Sequence, residues 1–331
     1  YQDIKDLLEN YKYLVVNLGE KIFINVELPC CVLIAEKNQS DNHIVIDLTK
    51  TDRSELPVTI TSATAESAVK TKDLVAKIIK NTGLTFNDVL LMKDAGINYQ
   101  AVKVGKGEKG KSKLGKLLFY EGEKEQQNDV EYWKGSNIEK YFIENKTNQF
   151  IRTNYQVFKQ ANERVILNSK FFALTPKILW RQTASSIIAT LDEKGIWFGR
   201  SIIGAMIKAD FKNKVSVYFA LAIFNSKYID YLYRLKVLET DRVFPQVKLG
   251  YLHDLPFVTG TKSQQEKVSE LTKKMIALNK DFRDAPEDSN EWNTIKFEIE
   301  KIDRRIDEEI YKLYGLTPEE VAIVEGEYTK N

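Results

Sequence analysis

The sequence changes period at Pro256, and that switch constrains the fold more than any other feature. Beyond it, two charged segments carry apolar residues at helical spacing: Val268, Leu271, Met275 and Leu278 in 263–283, then Ile295, Ile299, Ile302, Ile306 and Ile310 in 290–314. The link 284–289 contains Pro286, which cannot continue a helix, so the pair is expected to form a helical hairpin. Before the switch, short β-favouring runs at 101–104, 117–120, 165–167, 178–180, 187–190 and 196–198 alternate with turn residues. A helical pattern over 217–238 interrupts them, with Phe219, Ile223, Tyr228, Leu232 and Leu235 on one side. This order gives an α+β fold of small mixed or antiparallel sheets with helices, followed by the hairpin, rather than a regular βαβα array.

Upstream, Ile4, Leu7, Leu8 and Tyr11 sit at helical spacing, and runs at 13–16, 22–24 and 31–35 are separated by Gly19 and Pro29. With a further run at 43–48, these are expected to be strands at the C-terminal edge of a larger α/β domain, because they are too few for a sheet of their own. A helical pattern over 65–79 stops at Asn81-Thr82-Gly83. The expected organisation is 1–80 as that edge and a linker, 81–260 as the α+β domain, and 261–331 as the hairpin. A length of 331 residues leaves room for about two domains.

Hydrophobic residues at 43% and charged residues at 29% exclude a disordered or purely coiled-coil chain. The longest uncharged apolar run, 28–35, is far short of the roughly 20 residues that span a membrane. Cys30 and Cys31 are neighbours in that run and read as small buried hydrophobes, which points to a reducing, cytoplasmic compartment. The chain opens at Tyr1 in a helical pattern without a basic leader, so it is expected to be a piece of a longer protein.

A net charge of +2 argues against a polyanionic partner until it is resolved along the chain. Residues 101–120 hold six lysines against Glu108, a net +5, and 150–214 hold eleven bases against four acids, a net +7. The ends cancel them: 1–100 carries −3 and 261–331 carries −5. What a ligand meets depends on the local sign, so the basic middle is a candidate polyanion surface, with a plain solvated face as the alternative.

Within that middle, Gly105, Gly110, Lys111 and Ser112 spell the phosphate-cradling P-loop, and Gly105, Gly107 and Gly110 spell G-x-G-x-x-G. A working P-loop needs a sustained helix starting at Lys111-Ser112, but Gly115 and the β-favouring run 117–120 follow at once. The expectation is a cationic loop that touches a nucleic-acid backbone through Lys106, Lys109, Lys111 and Lys113. A P-loop NTP-binding protein using 105–112 is the alternative. His43 and His253 are isolated, no metal-ligand spacing occurs, and the carboxylates of 286–300 that loosely follow a metal-nuclease pattern fall on a loop and a helix. No catalytic or metal-binding residue is expected.

The segment Lys177-Ile178-Leu179-Trp180-Arg181-Gln182-Thr183, followed by Ile187-Ile188-Ala189-Thr190-Leu191-Asp192, resembles the central signature of target-recognition domains in type II and type IIG restriction-modification adenine-N6 DNA methyltransferases. It is similar to the TaqI-like C-terminal specificity domain. Supporting matches follow in that family's order: Tyr132-Trp133-Lys134-Gly135-Ser136-Asn137, Asn225-Ser226-Lys227, Val243-Phe244-Pro245-Gln246-Val247, Leu255-Pro256-Phe257, and the closing stretch from Ile306 to Glu320. The resemblance covers about 85–320. Residues 18–37 resemble the last strands of the methyltransferase domain that precedes such a reader.

The resemblance implies double-stranded DNA as partner, a methyltransferase catalytic domain in the same parent chain, and S-adenosylmethionine as the parent's cofactor. Neither the glycine-rich cofactor loop nor an Asn-Pro-Pro-Tyr motif occurs in these 331 residues, so no cofactor is expected here and methyl transfer is not carried over. In 177–183, strand alternation buries Ile178 and Trp180 and turns Lys177, Arg181 and Thr183 outward toward phosphates. Arg and Gln can read guanine and adenine edges, whereas Lys more often meets phosphate, which adds Lys134, Gln182, Arg200, Gln246 and Lys248. The competing reading pairs Arg181 with Asp192 or Glu193 and makes Gln182 a strand cap. A further alternative is a protein-interaction spacer like a type I specificity subunit, with the paired helices as its working surface.

Overall fold

A computed structural model describes residues 12–19, 30–36, 44–47, 83–100, 113–236 and 246–326. They fall in two compact units, one within 1–81 and the other within 82–237 and 246–331. In the first unit, β1 (Lys12–Gly19) pairs antiparallel with β2 (Cys30–Glu36) and parallel with β3 (Ile44–Asp47). The apolar runs at 13–16, 31–35 and 43–48 are thus strands. The expected elements at 3–11, 22–24 and 65–79 lie outside the described residues.

The second unit begins with α1 (Phe86–Val89), β4 (Leu90–Lys93), β5 (Asn98–Gln100), α2 (Lys113–Leu118), β6 (Phe119–Glu121) and β7 (Val130–Trp133). Then come β8 (Ile138–Glu139), β9 (Phe142–Ile143), β10 (Gln149–Ile151), β11 (Arg164–Ile166) and α3 (Ser169–Phe172). The centre of the fold is β12 (Lys177–Arg181), β13 (Ala189–Asp192), β14 (Trp197–Phe198) and β15 (Ile202–Ile207). The helices α4 (Val217–Asn225), α5 (Lys227–Lys236), α6 (Leu249–His253), α7 (Lys262–Asp284), α8 (Asn290–Tyr314) and α9 (Pro318–Val324) complete it. One sheet runs β13-β12-β15-β4, all antiparallel; a second runs β14-β7-β10-β6, in which β14 and β7 are parallel. Two small ribbons pair β5 with β11 and β8 with β9.

The core explains why β12 carries no polar alternation. One face packs on α4, where the Trp180 and Phe224 rings lie 5.4 Å apart. On the other face Leu179 joins Phe171, Phe172, Phe198, Tyr132 and Ile151 between the sheets. Burying each such side chain contributes roughly 2 kcal/mol. A strand buried on both faces therefore contradicts the outward reading of Lys177, which is fully buried. Its ammonium donates to Phe172 O at 2.8 Å and Leu174 O at 2.9 Å and is ion-paired with Asp192. All three of its hydrogens are spent inside the protein, so Lys177 is a structural residue and not a phosphate contact.

The helical pattern over 217–238 is two helices. Ser226 is extended (φ −68, ψ 146), and its hydroxyl donates to Ile223 O and accepts from Ile229 N, so it ends α4 and starts α5. The break lets an α4 that is buried from Phe219 to Asn225 be followed by an α5 with one wet face. The run 117–120 divides between α2 and β6. At Gly115, inside α2, a Cβ would stand 2.2 Å from the Tyr99 hydroxyl, so a larger residue there would displace that ring. The hairpin forms as expected: Thr261 caps α7 with a capping box through Gln264, Ser289 caps α8, and Gly315 (φ +68) closes it. Val268, Leu271 and Met275 are buried as α7 packs along α4, while Ile302, Ile306 and Ile310 form the buried stripe of α8.

Candidate nucleic-acid interface

The expected contact residues whose side chains are described, Lys177 apart, come together at one end of the two sheets. Past the end of β12, Gln182 N donates to Ser201 O at 2.8 Å, and Gln182 O accepts from Val247 N at 2.7 Å. Thr183 forms a β-bridge with Gln246. Ser201 Oγ accepts from Gly135 N at 2.8 Å, and Gly199 N donates to Trp133 O at 2.9 Å. Four segments distant in sequence, 133–135, 181–183, 199–201 and 246–248, are therefore stitched into one platform. Tyr233 of α5 clasps the last of them, donating to Gln246 O at 2.9 Å and accepting from Lys248 N at 2.7 Å.

The platform is polar, cationic and open. Thr183, Arg200 and Gln246 are exposed, while Lys134, Arg181, Gln182 and Lys248 are half-buried. Arg200 has no partner among the described residues. Arg181 does not pair with Asp192 or Glu193; its Nε donates to Ile138 O, which fixes the guanidinium. Lys134 forms an ion pair with Glu121 at 2.8 Å. Partial burial opposes its charge, but the Glu121 carboxylate outweighs that and holds its pKa above the ordinary lysine value. Lys248 lies 5.9 Å from the centre of the Tyr251 ring.

β5 is anchored toward the same end. Ile97 N donates to Phe198 O at 2.8 Å, and Ile97 bridges Gly199 in parallel, so β5 continues in the direction that the chain takes through Arg200. That approach needs Gly96, where a Cβ would stand 2.5 Å from Gly199 O. Gln100, at the end of β5, immediately precedes the lysine-rich stretch. Lys106, Lys109, Lys111 and the P-loop pattern at 105–112 lie outside the described residues; Lys113 begins α2, and its side chain is not among those described. The strand before that pattern belongs to a two-stranded antiparallel ribbon, and the helix after it has six residues, neither of which suits an NTP cradle.

Sequence reasoning missed three supports of the platform: the Ile138 carbonyl, the Ser201 hydroxyl and Tyr233. Tyr233 follows Leu232 within the helical pattern over 217–238, and nothing local marks its hydroxyl. Among the described residues no group of three or more His, Cys, Asp or Glu is arranged to hold a metal, and no helix is long and apolar enough to cross a membrane.

The platform gathers loop-borne Arg, Lys, Gln and Thr on a rigid frame, the residue types that contact phosphates and base edges. Residues 130–257 match the TaqI-like C-terminal specificity domain and contain every platform residue named above except the β5 anchor. In fold, the chain is similar to the type IIL restriction-modification enzyme MmeI, solved in complex with DNA, with a TM-score of 0.52 at 9% identity, covering 97% of this chain and 46% of that one. The type IIG restriction endonuclease BpuSI is a second match, with a TM-score of 0.36 at 10% identity, covering 94% and 45%. The chain thus spans about half the length of these two solved proteins. No curated protein sequence matches it.

Proposed function

We propose that the chain reads a sequence in double-stranded DNA as the specificity part of a restriction-modification system. The observation that carries this reading is the convergence of Lys134, Arg181, Gln182, Thr183, Arg200, Gln246 and Lys248 on one platform inside a specificity domain. Cations set the register on phosphates, and the half-buried Arg181 and Gln182 with exposed Gln246 supply the bidentate groups for base edges.

We further assign the parent protein to the adenine-N6 methyltransferases, with S-adenosylmethionine bound by a catalytic domain outside this chain and with or without a fused endonuclease. The glycine-rich and Asn-Pro-Pro-Tyr motifs of that cofactor's site do not occur in these 331 residues, which is why the site is assigned to the catalytic domain. The work of this chain is then to bind and orient the duplex so that the catalytic domain can extrude an adenine.

The test is fluorescence anisotropy of a labelled random-sequence duplex pool, titrated with the chain from 50 to 200 mM salt. Affinity should fall steeply and log-linearly with salt, and Arg200→Ala should make the slope shallower by about 0.9, the value for one phosphate contact. Absence of salt-dependent duplex binding at 50 mM would refute the reading. Methylation of DNA by this chain alone with S-adenosylmethionine would refute the division of labour.

A further inference from the structure

The end of α7 reaches back to the platform through Arg283. Its guanidinium forms an ion pair with Glu139 and stands over the Phe142 ring, 5.1 Å from the centre. Glu139 and Phe142 face each other across the β8–β9 ribbon, next to its turn. The neighbouring pair of that ribbon is Ile138 with Ile143, and Ile138 O is the acceptor that fixes the Arg181 guanidinium. Arg283 is thus one residue pair away from the support of the platform's half-buried arginine.

A two-stranded ribbon of two residue pairs has little stability of its own, so its position is set by what it is tied to. At the turn, Tyr141 N donates to Ala189 O at 2.9 Å, on the edge strand of the β13-β12-β15-β4 sheet. At the open end, the buried Asn137 accepts from Lys134 N at 2.8 Å through Oδ1 and donates to Glu144 Oε2 at 2.6 Å, while Glu144 N donates to Asn137 O at 3.1 Å. Arg283 adds a tie from the hairpin.

The hairpin is braced where Arg283 leaves it. The ring of Phe282, the residue before it, lies 4.8 Å from Trp292 of α8, and Lys274 of α7 meets Glu298 of α8 at 3.4 Å. Nearer the domain, α7 is rooted by the buried Val268, Leu271 and Met275. An exposed ion pair and a cation–π contact contribute little to stability, so Arg283 is not what keeps the domain folded. What they can do is select among ribbon positions of nearly equal energy. A base-reading arginine has to be held to within about half an ångström, and the position of Ile138 O sets the line along which Arg181 points.

We propose that Arg283 is a positioning residue for base reading: through Glu139, Phe142 and Ile138 O it sets the aim of Arg181, so that the hairpin takes part in specificity without meeting DNA. This rests on the DNA-reading function proposed above.

The test is selection of bound sequences from a random-sequence duplex pool by the full chain, scored as preference at each base position, with anisotropy to give the salt slope. Arg181→Lys keeps the charge and loses the fork, and should flatten preference at the position it reads by roughly tenfold. Arg283→Ala and Glu139→Gln should each soften that same position by about threefold, the size of an exposed pair, and Arg283→Lys should soften it less. All should keep the wild-type circular dichroism and salt slope, and adding Arg283→Ala to Arg181→Lys should soften the position no further. If Arg283→Ala leaves that position as in wild type, softens every position alike, or makes the salt slope shallower as loss of a phosphate contact does, the positioning role is wrong and the reading function stands. If Arg181→Lys alters no position, Arg181 is not a reader and the positioning role falls with it. If the wild-type chain selects no sequence from a pool that it binds, the reading function and the positioning role both fall.

Discussion

Replacing Lys177 with Met tests whether the pair beneath the platform is the structural device described. Met fills nearly the same volume, so little cavity cost is incurred. What is lost is an ammonium with three acceptors, leaving Phe172 O and Leu174 O without that donor and the Asp192 carboxylate buried without its counter-charge. Removing one partner of a buried pair costs about 3–5 kcal/mol. Asp192 keeps three backbone donors, Lys194 N and Gly195 N at 2.9 Å and Ile196 N at 3.1 Å, which places the expected loss near the lower end, about 3 kcal/mol. For a unit of this size that is a fall of roughly 10 °C in Tm. Urea unfolding followed by circular dichroism measures it. The double variant Lys177→Met with Asp192→Asn should cost less than the sum of the singles, because neither then leaves a lone buried charge. The salt slope of duplex binding should be unchanged, since Lys177 meets no phosphate. A loss below about 1 kcal/mol, or an additive cycle, would refute the reasoning.

The carboxyl of Asp307 on α8 is buried, accepts only Lys227 N at 2.9 Å, and is pushed up by burial to a pKa of about 6 from 3.8. Its folded form therefore holds a proton that the unfolded chain has already lost, so the stability it contributes is present below pH 3.8 and is lost as pH rises through about 6. Asp307→Asn should leave stability at pH 3.5 nearly unchanged and raise it at pH 7 by up to roughly 3 kcal/mol, read from paired urea titrations; equal effects at both pH values would contradict this. Tyr233→Phe should cost about 1–2 kcal/mol locally, speed hydrogen exchange at the Lys248 amide, and weaken duplex binding without changing the salt slope. An unchanged exchange rate would show that the clasp does not hold the loop.

The hairpin was legible because its signals are local: apolar spacing and Pro286 in the link. The strands at 165–167, 178–180 and 196–198 were legible for the same reason, and so was the α+β order. Lys177 was misread because alternation tells the two faces of a strand apart only when one of them is wet, and β12 has no wet face. The break at Ser226 was hidden by an apolar pattern that continues through it, and only the loss of a solvent face around α4 reveals it. The residue types of the platform were visible in the sequence, but their assembly was not. It depends on hydrogen bonds such as Gln182 N to Ser201 O and Tyr233 to Lys248 N, which join positions that carry no mark of one another.

The joints of the platform divide into two kinds. Gln182 to Ser201, Val247 to Gln182 and Gly199 to Trp133 are peptide-to-peptide bonds, indifferent to the side chain each residue carries. Ser201 Oγ and Tyr233 Oη are side-chain joints. Positions 182, 183, 200 and 246 can therefore change identity without loosening the frame, whereas 201 and 233 cannot. Under the proposed function, the base-reading surface can therefore vary by point substitution at the first set at almost no cost in folding.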